Sequence, residues 1–232
     1  MARSGGGMTG AGLRPAVRAA VGRAISLGTL GILTAFVASG EAAPRRSAAA
    51  SQPRRAYDTS VIESGDVVFR RGRSVVSQMV VAAQQQLPFS HVGIAVVSEQ
   101  GVMVVHATPD GPPPGLVVSD RIDEFLDADA ASVAAVYRVD DSAKARGASE
   151  AASRYANVPV PFDAAFDLRT ADQLYCTELV WRAYLAVGVD LSGGVREDLA
   201  IPLGHGPYLL PDTLLKGRQL RPVVAFASQR IP

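Results

Sequence analysis

The sequence predicts a mixed α+β domain built around an antiparallel sheet, and three observations carry that reading. Short apolar runs of strand length recur along the chain, among them "GDVVFRRG" (65–72) and "ASVAAVYRV" (131–139). The stretch "SHVGIAVVSEQGVMVVHATPDG" (90–111) holds two such runs around a tight turn near Glu99–Gly101. Other segments repeat their apolar residues at helical spacing.

Taken in order, Gly65 and Asp66 are turn residues that open the first strand. Residues 73–87 place Val75, Val76, Met79, Val80 and Ala83 on one helical face. After the hairpin, "GLVVSDRIDEFL" (115–126) reads as a short strand followed by a helical turn, and 131–139 as another strand. Residues 142–157 are rich in alanine and charge, which favours a helix. A further helix is expected over about 176–187, stopped by Gly188, and a last strand near "LRPVVAFAS".

Upstream of this domain the chain has the layout of an export signal. Arg3, Arg14, Arg18 and Arg23 precede an uncharged run, Ala24–Ser39, and small residues follow it. That run is shorter than the roughly 20 residues of a bilayer-spanning helix. The expected organisation is a signal peptide over 1–40, a basic, Pro-containing leader over 41–58, and one domain over 59–232. The expected location is outside the cytoplasm, periplasmic or secreted, with membrane contact only through the N-terminal segment. With 23 basic and 22 acidic residues, bulk electrostatics offer no case for nucleic-acid binding.

An exported chain usually pairs its cysteines or does without them, yet this one has a single cysteine, Cys176. It stands where "FDLRTADQL" gives way to the helical pattern of Leu179, Val180, Ala183 and Val187. A helix N-terminus offers unsatisfied N–H groups and the positive end of the helix dipole, which favour a thiolate. A two-residue turn after Ser98 puts Gly93 opposite His106, with His91 diagonal to His106 on the same face. These residues form an apt trio: Cys176 as nucleophile, His91 as base within about 4 Å of the sulfur or bridged to it by one water, and His106 as the residue that orients His91. Two other readings stand beside it: a buried, inert cysteine, and a zinc site of His91, His106 and Cys176. The spacing matches no close-set metal motif. His205, in "PLGHGPY", reads as a turn or rim residue.

The blocks "SHVGIAV", "VMVVHATP", "PFDAAFDL…LYCTELVWRAYLAVGVDL" and "LPDTL" resemble the YiiX/YebB-like family. Its members are circularly permuted relatives of the NlpC-type papain-like hydrolases, distantly similar to lecithin retinol acyltransferase. The resemblance runs from about Gly65 to Leu215 and implies a permuted papain-like fold, with an antiparallel sheet packed against helices that include the cysteine helix. It also implies Cys176 as nucleophile and His91 as general base, with His106 where YiiX-like sequences often carry an acid. Phe162–Asp163 replaces the family's Tyr–Asp before the cysteine block. The expected function is an exported thiol hydrolase cleaving amide or acyl bonds of peptidoglycan peptides or lipids, with no metal or organic cofactor. The alternative is an inactive papain-like module that binds envelope peptides or lipids.

Overall fold

The computed structural model describes residues 58–84, 87–127, 130–198 and 207–227. The expected signal peptide, almost all of the leader, and His205 lie outside the described residues. The elements run β1 (Val67–Arg70), α1 (Val75–Ala83), β2 (His91–Ser98), β3 (Gly101–Thr108), β4 (Leu116–Arg121), α2 (Ile122–Phe125) and β5 (Val133–Val139). They continue with α3 (Ser142–Ala156), α4 (Cys176–Leu185), β6 (Glu197–Asp198), β7 (Pro207–Tyr208), α5 (Thr213–Lys216) and β8 (Leu220–Ala227). The chain is thus α+β, as its patterning predicts. The two-residue strands β6 and β7 and the single turn of α5 are too short to leave a periodic signal.

One six-stranded sheet, ordered β4-β3-β2-β1-β5-β8, is antiparallel at every pairing. Its alternating side chains feed two cores. Val67, Phe69, Val92, Ile94 and Val105 face α3 and α4, meeting Ala148, Ala152, Leu179, Val180 and Ala183. Val68, Ala95, Val104 and Val136 face the other way, onto Ile122, Phe125 and Leu126 of the α2 region. Both ends of α3 follow their residue types. Asp141 caps its start by accepting from the Ala143 and Lys144 N–H groups, and Arg154 lies in its last turn.

The β2–β3 register decides where the site forms. Ser98 pairs with Gly101 and Ile94 with Val105 across a two-residue turn, as the sequence predicts. Gly101 closes that turn at φ 109°, a conformation glycine adopts without a Cβ penalty. Gly93 has no room for a side chain, because a Cβ there would lie 2.6 Å from Val104 Cγ1 and 3.0 Å from His106 Cβ. Glycine at 93 is therefore what lets the His106 side chain occupy its place beside β2.

Candidate active site

His91 and His106 meet edge to face, with ring centroids 5.0 Å apart. His91 Nε2 lies 2.9 Å from His106 Nδ1, and His106 Nε2 lies 3.0 Å from Asp120 Oδ2. Asp120 stands on β4, two residues beyond the Val118 that pairs with His106, and so on the same face. The sequence reading missed Asp120. Its alternation within "LVVSD" was visible, but the Gly- and Pro-rich connection from β3 hides the register of β4.

This line of bonds fixes the tautomers. An ionised carboxylate only accepts, so His106 carries its proton on Nε2 and presents a bare Nδ1. His91 must then donate from Nε2, which leaves its Nδ1 unprotonated. The His106 hydrogen bond holds the Asp120 carboxyl below the usual carboxylate range. His106, which stands where YiiX-like sequences often carry an acid, is therefore a neutral link between His91 and a carboxylate. Burial, the Arg70 charge and His106 together push His91 well below the usual 6.5. Burial likewise lowers His106, against the pull of Asp120.

Phe125 of α2 packs against both imidazoles, with centroids 5.6 Å from His91 and 4.9 Å from His106. The Arg70 guanidinium covers Phe125 at 4.4 Å, and its Nη1 donates to the Phe125 carbonyl at 2.7 Å. Arg70 pairs with His91 across β1 and β2, so the two side chains leave the sheet together. Neither Phe125 nor Arg70 carried a sequence signal, since a phenylalanine in a helical turn and an arginine ending a strand are ordinary.

Cys176 is the first residue of α4, as its pattern predicts, with Tyr175 in extended conformation before it. Two contacts from a distant segment fasten this helix start. The Tyr175 hydroxyl accepts from the Leu209 N–H at 3.0 Å, and Thr177 Oγ1 donates to the Leu209 carbonyl at 2.5 Å. At the other end Tyr184 donates to the Gly65 carbonyl at 2.5 Å. Buried Glu178 pairs with Arg182, which also donates to the Thr170 carbonyl and so ties the 163–170 loop to the helix. Asp163 organises that loop by accepting from the Ala165 and Asp167 N–H groups, while Phe162 lines the site cavity.

One expectation for the sulfur needs correction. Burial pushes the Cys176 thiol up to about 11, outweighing the N–H groups of Thr177, Val92 and Cys176 and the Arg70 charge. The helix start does not create a resting thiolate, because the thiol of a residue only 8% exposed loses more solvation than those dipoles return. Among the described residues no hydrogen bond joins the sulfur to His91. The imidazole leaves the sheet on the Phe125 side, whereas α4 packs on the other side. They come together at the end of the sheet, where His91 opens β2 and the Val92 N–H reaches the sulfur. Both line one cavity of about 710 Å³, whose other walls include Met79 and Val80 of α1, Phe166 and Leu210.

A family model for permuted papain-like amidases, the YaeF/YiiX, C92 family, matches residues 61–194. A comparison with curated proteins gave no match. Among solved structures, that of metalloprotein yiiX from Escherichia coli O157:H7 superposes with a TM-score of 0.57 at 22% identity, covering 70% of this chain and 96% of that one. At that identity the likeness speaks for the fold. With the match over residues 61–194, the chain belongs to the permuted papain-like amidase family and is a cysteine hydrolase of that kind.

Proposed function

We propose that this protein is an exported amidase of the cell envelope, with Cys176 as nucleophile, His91 as general base, and His106 and Asp120 as the residues that orient it. The observation that carries this reading is the hydrogen-bonded line from Asp120 through His106 to His91, ending in a free Nδ1 on the cavity that also holds Cys176.

The resting pair is a neutral thiol and a neutral imidazole. As a substrate carbonyl carbon meets the sulfur, the thiol proton passes to His91 Nδ1, directly or through one water. Catalytic hydrogen bonds of this type often tighten only in the substrate complex. The new C–S bond leaves a tetrahedral oxyanion, for which the Cys176 N–H at the start of α4 is a donor. The C–N bond then breaks, and the amine leaves with the proton held by His91. Water attacks the thioester, again giving its proton to Nδ1, and releases a carboxylic acid and the free thiol. While His91 is protonated, its Nε2–H stays on His106, and the Asp120 charge stabilises the imidazolium through that link.

The solved relative is titled a metalloprotein. In this chain His91 Nε2 and His106 Nδ1 face each other at hydrogen-bond distance, which places a proton between them. Among the described residues no group of three His, Cys, Asp or Glu is disposed to hold a metal ion. These residues do not fit a metal centre, and no step is routed through one.

The substrates in view are peptidoglycan peptides and acylated lipids of the envelope, reached after export on the N-terminal signal. Purified protein incubated with muropeptides and with N-acylated amines, followed by mass spectrometry, tests this. Cleavage of either class that disappears in Cys176→Ala supports it, and cleavage that survives Cys176→Ala contradicts it. Mass spectrometry of secreted protein should find the first 40 or so residues removed.

A further inference from the structure

Arg70 is a half-buried cation with an incomplete set of partners. Its Nη1 is satisfied by the Phe125 carbonyl, but Nε is shut off from solvent with no acceptor. No carboxylate among the described residues lies within ion-pair distance of the guanidinium. The acidic charges felt there, Asp110 and Asp120, already accept from Thr108 Oγ1 and His106 Nε2. A guanidinium partly removed from water and without a carboxylate partner is a natural seat for an anion. Beyond that carbonyl, Phe125 supplies the face of its ring.

The position of this cation matters as much as its deficit. Arg70 lines the cavity of the candidate site beside His91, and Asp110 lines it too. Other stretches of the wall are apolar: Met79 and Val80 from α1, Phe162 and Phe166, and Leu210 with Pro211. A cavity of this size suits a ligand that is mostly apolar with a few fixed polar contacts. An amidase substrate has two halves, an acyl group and an amine. An apolar wall accommodates the first, and a cation on the wall such as Arg70 recognises a negative charge on the second.

We propose that Arg70 binds a carboxylate on the amine half of the substrate, so that the favoured substrates are amino acids carrying an apolar N-acyl chain. This deepens the amidase reading above and rests on it for the position of the scissile bond. The acyl chain lies along the α1 and Leu210 walls, the amide carbonyl sits over Cys176, and the amino-acid carboxylate reaches Arg70. The guanidinium is held on the Phe125 ring before substrate arrives, which limits the ordering cost of binding. A free amine product keeps the carboxylate, whereas the thioester left on Cys176 does not.

The test uses N-dodecanoylglycine and its uncharged counterpart N-dodecanoylglycinamide. Binding to Cys176→Ala protein is measured by calorimetry, and kcat/KM with wild-type protein by amine release. The acid should bind about ten- to a hundredfold more tightly than the amide, the usual range for a charge-assisted contact. Arg70→Met in the Cys176→Ala background should bring the ratio to about one, and Arg70→Lys should restore part of it. Because the acid-to-amide comparison needs no change at position 70, a variant that fails to fold does not remove the test. Equal binding of the two ligands, no binding of either, or a preference that persists in Arg70→Met would overturn the proposal. Arg70-dependent binding without turnover by wild-type protein would support the carboxylate site and count against the amidase reading. Turnover with no acid preference would do the reverse.

Discussion

On the imidazole side of the site, His91, His106 and Asp120 all come from residues 91–120, placed by three neighbouring strands and packed on Phe125. On the thiol side, Cys176 depends on segments far apart in the chain, since Leu209 anchors both Tyr175 and Thr177. Strand register holds the first group with backbone hydrogen bonds, so its geometry is rigid and local. The second group is held by a few side-chain bonds across a loop-rich region. The difference teaches that base strength is built into the sheet, while the approach of the sulfur is set by how α4 is tethered.

Removing either reacting group should have the largest effect. Cys176→Ala should abolish turnover of whichever amide the protein cleaves, and His91→Ala should lower kcat by about three orders of magnitude or more. Circular dichroism of each variant checks that the fold survives. His106→Ala should cost about ten- to a hundredfold in kcat, and Asp120→Ala somewhat less, because it leaves the His91–His106 bond in place. Full activity in His106→Ala would break the idea that the sheet side sets the base.

The pH profile sharpens the same comparison. His91 works as a base only when neutral, and its environment holds it well below 6.5. Activity should therefore be flat through neutral pH and fall only as pH drops well below 6.5. Stability behaves differently. Both imidazoles titrate lower in the folded protein than unfolded, so their contribution is complete above about 6.5. It is lost progressively as pH falls through 6.5 toward the folded values, which thermal melts across pH would register.

Substitutions that disturb placement rather than chemistry should act more weakly. Gly93→Ala puts a Cβ against Val104, the Val105 carbonyl and His106, and should destabilise by about 1–3 kcal/mol while lowering kcat. Tyr175→Phe removes the acceptor for the Leu209 N–H and should cost about 1 kcal/mol or more in denaturant unfolding. The smallest effect is expected at Glu178, whose carboxyl burial pushes up to about 7. Its protonated form is favoured by folding, so stability falls as pH rises from 4.5 to about 7. Glu178→Gln should flatten the melting temperature over that window.

The two sides of the site were unequally legible in the sequence. The hairpin register followed from alternation and a two-residue turn, so the His91–His106 pairing was predictable to the residue. Cys176 as the first residue of a helix was predictable from the apolar spacing after it. Asp120 was not, because a connection of variable shape precedes β4 and register cannot be counted across it. The raised thiol value was hidden for a different reason. Helix position can be read from a pattern, but burial depends on what packs over the sulfur, here segments well before and well after Cys176. Arg70 was invisible for the same reason, since its meaning lies in partners it lacks.

The central claim is that the imidazole line activates a thiol that is neutral at rest. Acylation of the protein by p-nitrophenyl acetate at pH 7, followed by intact mass, tests it most directly, because one cysteine makes the modified thiol unambiguous. The account predicts one acetyl group on Cys176, formed in wild-type protein about a hundredfold or more faster than in His91→Ala. It predicts an intermediate rate in His106→Ala. Equal acylation rates in wild-type protein and in a folded His91→Ala variant would contradict it.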